Sequence, residues 1–129
     1  MVMEPPTITA QQQKTRVVNG KPIRYDPPEL TAAKAKLESH LAGHIPNRKF
    51  EGPIQLVVKW CFPLTGNHEN GEWKTTKPDT DNLQKALKDV MTKLGFWKDD
   101  ALVASEITQK FWATLPGIWI QIEELEESK

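Results

Sequence analysis

The chain has 129 residues, of which 38% are hydrophobic and 26% charged, a balance typical of one folded domain and too apolar for a disordered chain. Its 17 basic and 17 acidic residues cancel, so net charge neither favours nor excludes a polyanionic partner. No apolar run approaches the roughly 18 residues of a membrane span. A single cysteine, Cys61, excludes an internal disulfide, and with no visible signal peptide it predicts a cytoplasmic protein.

The N-terminal region is predicted to be extended. A strand is expected within residues 4–13, and Asn19-Gly20 then predicts a hairpin turn, because a type I′ turn needs positive φ at both central positions. The basic residues of this hairpin fit a solvated sheet edge, which the segment alone favours, and they also fit an arm that contacts phosphates. These residues are Lys14, Arg16, Lys21 and Arg24.

A first helix is predicted to begin after the Pro27-Pro28 pair and to end at Gly43. His40 and His44 have a spacing that can bind a metal, but no further ligand is near in sequence. The helix dipole, which favours cationic side chains at a C-terminus, explains them better. The apolar stripe of this helix consists of Leu30, Ala33, Leu37 and Leu41.

The strongest strand in the sequence is Ile54–Phe62, IQLVVKWCF, which is rich in β-branched and aromatic residues and is predicted to be central. Cys61 within it is expected to be a small buried hydrophobe rather than a nucleophile. The polar loop 63–76 that follows is long for a small domain, and such loops are often functional.

The second helix, from Asp81 to Leu94, is predicted by an unbroken apolar stripe and by Gly95 as its stop. Leu102–Trp112 and Ile118–Ile122 then predict two strands of a C-terminal hairpin, and the acidic tail 123–129 is expected to fray. These elements predict a single domain, residues 1–129, of the α+β class, with two helices packed on one face of a mixed sheet.

Each acidic residue around the second helix has an ordinary structural explanation. Asp81 followed by Gln84 fits a capping box at the helix start. Asp89 can pair with Lys85 or Lys93, each four residues away. One open interpretation is therefore a structural domain whose aspartates are caps and turn residues.

Taken together, the aspartates suggest a cation site. Asp79 and Asp81 precede the helix and Asp99 and Asp100 follow it, so the next strand could return Asp100 to the first pair. Hard carboxylate oxygens suit Mg²⁺ or Mn²⁺ rather than zinc. Lys85, one helical turn after Asp81, would be placed to contact a phosphate. The combination predicts metal-assisted phosphodiester hydrolysis.

The stretch Lys77–Asp100 resembles the RusA family of Holliday junction resolvases. The resemblance lies in the motif Asp-x-Asp-Asn-Leu-x-Lys at 79–85 and in the Gly-Phe-Trp-Lys-Asp-Asp sequence at 95–100. It implies catalytic, metal-binding roles for Asp79, Asp81 and Asp100, an essential basic role for Lys85, and secondary roles for Asp99 and Asp89.

The same resemblance implies a Mg²⁺-dependent homodimer without a small-molecule cofactor. Members of the family bind four-way junction DNA, nick two strands symmetrically in recombination and repair, and are frequently carried by phages and prophages. The N-terminus of this chain looks like a subgroup with a basic arm. A non-catalytic junction-binding or nucleic-acid-binding module of the same fold is the alternative. DNA contacts are expected at Lys14, Arg16, Arg24 and Lys77.

Overall fold

The computed structural model describes residues 1–7, 14–18, 21–25 and 28–126, and for 14–18 and 21–25 it describes only the backbone. One short 3₁₀ helix, Ala42–His44, comes directly after the first α-helix, and another, Asp100–Leu102, comes directly before the fourth strand. The predicted α+β class, with two helices and a mixed sheet in one small domain, is confirmed. The elements are β1 (Lys14–Val18), β2 (Lys21–Tyr25), α1 (Pro28–Leu41), β3 (Ile54–Pro63), α2 (Thr80–Leu94), β4 (Val103–Ala113) and β5 (Gly117–Glu124).

A three-stranded sheet with the order β4-β3-β5 organises the domain. β3 pairs with β4 in parallel and with β5 in antiparallel orientation, so the predicted central position of this strand is confirmed. Every second residue of β3, from Ile54 to Phe62, is buried, and the residues between them are partly or fully exposed. The sheet therefore has an inner face against the helices and an outer face, which we call the open face.

The predicted C-terminal hairpin is wrong. β4 and β5 both pair with β3, which lies between them, and they do not pair with each other. Alternation within a strand indicates which of its faces is buried, but it carries no information about the neighbouring strand. The most apolar strand takes the position in which both of its edges are paired, and α2 provides the long crossover that a parallel β3–β4 pair needs.

β5 ends at Glu124, two residues beyond the predicted end of the strand. The N–H of Leu125 then donates to the carbonyl of Pro53 at 2.9 Å. The acidic tail that was expected to fray is therefore held by the sheet at its start, and residues 127–129 lie outside the described part of the chain.

The core lies between the inner face of the sheet and the two helices. Gly95 ends α2 with φ 85, a left-handed conformation that glycine adopts without strain. Phe96 and Trp97 pack back into the core, and the N–H of Phe50 donates to the Phe96 carbonyl at 3.0 Å. This turn leads the chain from α2 towards β4. The buried side chains at the centre are Leu37, Leu41, Leu56, Val58, Trp60, Leu83, Leu87, Val90 and Met91.

The N-terminal hairpin is confirmed by the antiparallel pairing of β1 with β2, in which Val18 lies opposite Lys21. Its turn residues, Asn19 and Gly20, lie outside the described residues, as do residues 8–13 of the predicted first strand. Residues 4–7 form no strand. Within the described ranges, no helix is both long and apolar enough to cross a membrane.

Candidate active site

The loop before α2 lies along the outer edge of β4. The N–H of Gly71 donates to the Trp112 carbonyl and the N–H of Trp112 donates to the Glu72 carbonyl, each at 2.8 Å. The N–H of Lys74 donates to the Lys110 carbonyl at 3.0 Å. These bonds continue the sheet by a short irregular segment, so the polar loop expected from the sequence is fastened to β4 by its backbone.

Lys110 clamps the last turn of this loop directly in front of α2. Its Nζ donates to the carbonyl oxygens of Thr76 and Pro78 at 2.6 and 2.7 Å. Lys74, which is buried, places its Nζ 4.2 Å from the ring centroid of Trp112 and donates to the Thr76 hydroxyl. Burial and the neighbouring Lys110 ammonium lower the pKa of Lys74. Lys110 therefore holds the backbone that leads to the first aspartate of the motif, and Lys74 holds the side chain of Thr76 in the same turn.

We expect the Lys110 clamp to contribute measurably to stability. Lys110→Met leaves both carbonyl oxygens without their charged donor, which should lower the free energy of unfolding by about 1–2 kcal/mol. Urea denaturation measures this loss. Lys98→Met, at an exposed lysine, is the matched control and should stay within about 0.5 kcal/mol of the unmodified protein. Equal stability of the two variants would contradict the clamp.

Asp79, not Asp81, is the N-cap residue of α2. The Asp79 carbonyl accepts the first helical hydrogen bond from Leu83 at 3.1 Å, whereas its side chain makes no capping hydrogen bond. The predicted capping box of Asp81 and Gln84 is wrong, because the buried Gln84 carboxamide binds Trp60 and Glu106 instead. The exposed carboxylates of Asp79 and Asp81 are thus not used for capping.

Asp81 and Asp100 border one cleft of about 230 Å³ between α2 and the start of β4. Lys85 lines it too, so this lysine lies on the same side of the helix as Asp81. The cleft follows the helical stripe i, i+3, i+4, i+7, i+8, and β4 with its preceding turn supplies the opposite wall. The complete lining consists of Asp81, Gln84, Lys85, Lys88, Asp89, Asp100 and Glu106.

Two of the candidate aspartates have partners outside the cleft. Asp89 pairs with Lys34 of α1 at 3.5 Å, so the predicted pairing with Lys85 or Lys93 is wrong. Asp99 caps the 3₁₀ helix, where its Oδ1 accepts a hydrogen bond from the N–H of Ala101 at 2.9 Å. Packing of α1 against α2 brings Lys34 near Asp89, and this is information that helix periodicity does not contain.

Besides Lys88, Glu106 is a cleft residue that the sequence analysis missed. It pairs with Lys88 at 3.1 Å and accepts a hydrogen bond from the Gln84 carboxamide at 3.3 Å. Glu106 belongs to no motif, and one glutamate in a strand normally indicates a solvated position. Only the parallel β3–β4 pairing, which the sequence did not predict, places β4 and therefore Glu106 beside α2.

The cleft is lined by carboxylates, whose hard oxygen atoms are the ligand type that divalent cations such as Mg²⁺ prefer. Among the described residues, no group of three histidine, cysteine, aspartate or glutamate side chains is close enough to hold a metal ion. Mg²⁺ commonly takes only one or two protein carboxylates and completes its shell with water and substrate phosphate. Asp81 and Asp100 are two exposed carboxylates that line the same cleft. Asp79 is not among the residues that line the cleft.

The residues expected to contact DNA divide into two groups. Lys77 is exposed in the loop directly before Pro78 and Asp79. The side chains of Lys14, Arg16 and Arg24 lie outside the described part of the structure, so their predicted phosphate contacts stay predictions.

Comparison with known proteins agrees with the motif. The family model described as "Endodeoxyribonuclease RusA" matches residues 5–123. The chain is 36% identical over 98 residues to "Crossover junction endodeoxyribonuclease rusA" of Lactococcus phage r1t, which covers 74% of this chain and 73% of the phage protein. It is 30% identical over 118 residues to "Uncharacterized protein YqaN" of Bacillus subtilis (strain 168), which covers 83% and 82% of the two chains. The chain therefore belongs to the RusA family of endodeoxyribonucleases, as the resemblance at 77–100 predicted.

Proposed function

We propose that this protein is a divalent-metal-dependent endodeoxyribonuclease that resolves Holliday junctions by paired symmetric nicks. The observation that carries the proposal is the cleft in which Asp81, Lys85 and Asp100 lie together within a RusA-family chain. The name of the phage relative, a crossover junction endodeoxyribonuclease, supports four-way junction DNA as the substrate. The biological setting would be DNA recombination and repair in the cytoplasm, in a phage or prophage context.

The carboxylates would hold the cation, and the lysine would face the substrate. We propose Asp81 and Asp100 as ligands of Mg²⁺, with Asp79 completing the acidic site at the head of α2 and Mn²⁺ as a possible substitute. The cation supplies Lewis-acid stabilisation of the charge that builds on the phosphate. Lys85 has no ion-pair partner among the described residues, so its ammonium is available to a phosphate oxygen. Attack by water would leave a 5′-phosphate and a 3′-hydroxyl.

A basic region at the head of α2 would receive the DNA backbone. Lys74 and Lys110 stand together there without a carboxylate partner among the described residues, and Lys77 is exposed next to them. The positive end of the helix dipole adds to their field. We propose that Lys77 contacts a phosphate close to the scissile one, and that Lys14, Arg16 and Arg24 of the hairpin contact phosphates further along the arm of the junction.

We propose a homodimer, because two symmetric nicks require two sites related by a two-fold axis. The open face of the sheet supports this proposal. It exposes Trp73, Ile107 and Trp119, and Trp73 stacks on Phe111 with ring centroids 4.5 Å apart. Lys59, whose Nζ lies 5.0 Å from the ring centroid of Trp119, is the charged residue at its centre. Aromatic side chains with few charges are typical of the buried part of protein interfaces.

Cleavage of a synthetic four-way junction, compared with a linear duplex of the same arm sequence, tests the proposal. With Mg²⁺ we expect paired nicks in the junction at a rate at least about 100-fold above the duplex, and none with EDTA, because the cation supplies the charge stabilisation. A parallel reaction with Mn²⁺ tests the substitution. Equal cutting of the two DNAs would contradict junction selectivity. Tight junction binding without cleavage in either metal would favour the non-catalytic module.

A further inference from the structure

A buried hydrogen-bond chain links the core of the domain to the candidate cleft. The indole N–H of Trp60 in β3 donates to Oε1 of Gln84 in α2 at 2.8 Å. The Nε2 of Gln84 donates to Oε2 of Glu106 in β4 at 3.3 Å. Trp60 is completely buried and Gln84 is 2% exposed, so water does not compete for either group. Three separate elements therefore meet at one carboxamide.

The chemistry of the two neighbours determines the orientation of the Gln84 carboxamide. An indole N–H can only donate, so it must face the carbonyl oxygen of Gln84. An ionised carboxylate can only accept, so Glu106 must face the NH₂ group. The reversed carboxamide would place two donors together and two acceptors together, in a buried position where unsatisfied polar groups cost about 1–3 kcal/mol each. Gln84 is consequently held in a single orientation.

Glu106 is held by one of its two oxygens. Gln84 contacts Oε2, and Lys88 contacts the same Oε2 at 3.1 Å. Among the described residues, Oε1 of Glu106 has no hydrogen-bond donor. Glu106 lines the cleft with Asp81 and Asp100, so this oxygen keeps its acceptor capacity at the edge of the candidate site.

We propose that Glu106 is a further functional carboxylate of the cleft and that Gln84 is its positioning residue. Oε1 of Glu106 accepts a hydrogen bond, and then the proton, from the water that attacks the phosphorus, and the chain from Trp60 through Gln84 fixes the direction of that acceptor. The new bond from the water oxygen to phosphorus replaces the bond to the 3′ oxygen, which takes a proton from solvent and leaves as the 3′-hydroxyl. This inference rests on the proposed nuclease function. The competing explanation is a Glu106 that serves only as the ion-pair partner of Lys88.

Four variants separate the two explanations. Glu106→Gln removes the charge at nearly the same side-chain size, and with it the ion pair with Lys88. Gln84→Met removes the positioning carboxamide and replaces it with a side chain of similar volume. The double variant combines these changes. Glu38→Gln breaks the Lys93–Glu38 ion pair, which matches the Lys88–Glu106 pair in its 3.1 Å distance and in the exposed fraction of its glutamate, 34% against 31%, but lies outside the cleft.

Single-turnover cleavage of a four-way junction in Mg²⁺, junction affinity in EDTA, and thermal unfolding are measured for each variant. We expect Glu106→Gln to slow cleavage about 100-fold and Gln84→Met at least about 10-fold, because small displacements of a reacting group can cost that much. Junction affinity should stay within about threefold, and the double variant should be no slower than Glu106→Gln, since Gln84 acts through Glu106. Glu38→Gln should cleave like the unmodified protein.

Two outcomes would overturn the inference while leaving the proposed function intact. The first is cleavage by Glu106→Gln within about threefold of the unmodified protein. The second is an independent, multiplicative effect of Gln84→Met in the Glu106→Gln background. If Gln84→Met fails to fold, the glutamate variant, which changes a partly exposed strand residue, still decides the first point. An unmodified protein that cuts no junction would instead refute the proposed function.

Discussion

Replacing Asp100 with asparagine is expected to lower junction cleavage on the order of 1,000-fold, with junction binding in EDTA largely retained. Asp100 borders the cleft at the point where the chain enters β4, across from Asp81 on α2. Asparagine keeps the size of the side chain but removes the charge that a hard divalent cation needs, so the electrostatic stabilisation of the transition state is lost. Single-turnover kinetics and an electrophoretic binding assay measure the two effects. Asp79→Asn and Asp81→Asn are expected to behave alike.

Asp99 provides a matched control for this substitution. It is the adjacent residue and has the same side chain, but its Oδ1 accepts a hydrogen bond from the N–H of Ala101 and it does not line the cleft. Asparagine is also a good capping residue, so Asp99→Asn should cleave within about threefold of the unmodified protein. If Asp99→Asn were inactive and Asp100→Asn active, the assignment of the metal-binding carboxylate would be reversed.

Replacing Leu87 with alanine is expected to lower the free energy of unfolding by about 3–4 kcal/mol. Leu87 is 0% exposed and lies in the middle of the apolar stripe that packs α2 against the sheet. Truncating a fully buried leucine loses its transfer free energy and leaves a cavity that the surroundings fill only in part. Since α2 also carries Asp81 and Lys85, urea denaturation should be accompanied by a cleavage assay at a low temperature where the variant is still folded.

Leu115→Ala is the matched control for the core. Leu115 is 68% exposed in the short connection between β4 and β5, so the same truncation should change the free energy of unfolding by no more than about 0.5 kcal/mol. A comparable loss in both variants would show that α2 is not fastened to the sheet by this stripe.

Local patterns determined much of the fold. The helical spacing of Leu83, Leu87 and Val90 predicted α2 because an amphipathic helix must bury its apolar stripe, whatever it packs against. The β-branched composition of β3 predicted a central strand for a similar reason. The partners of the outer strands could not be predicted in this way, because pairing is a contact between residues distant in sequence. The predicted hairpin of β4 with β5 was wrong for that reason.

The candidate site shows the same difference between what local sequence patterns predict and what long-range contacts decide. The spacing of Asp79, Asp81 and Lys85 indicated a shared region at the head of one helix, because these residues are local to each other. Gln84 looked like half of a capping box. Its carboxamide instead accepts a hydrogen bond from Trp60, which is 24 residues away and so cannot be recognised from the local sequence. Glu106 carried no signal, because its position in the cleft depends on which helix lies beside its strand.

By itself, the sequence determined the α+β class, the two helices, the central strand, the RusA-family motif and the acidic residues proposed for the site. Only the tertiary structure decided that β3 separates β4 from β5, that Asp81, Asp100 and Glu106 line one cleft, and that Gln84 donates a hydrogen bond to Glu106. The physical reason is the range of the interactions. Helix periodicity and motif spacing act over a few residues, whereas strand order and buried hydrogen bonds are chosen by the packing of the whole domain.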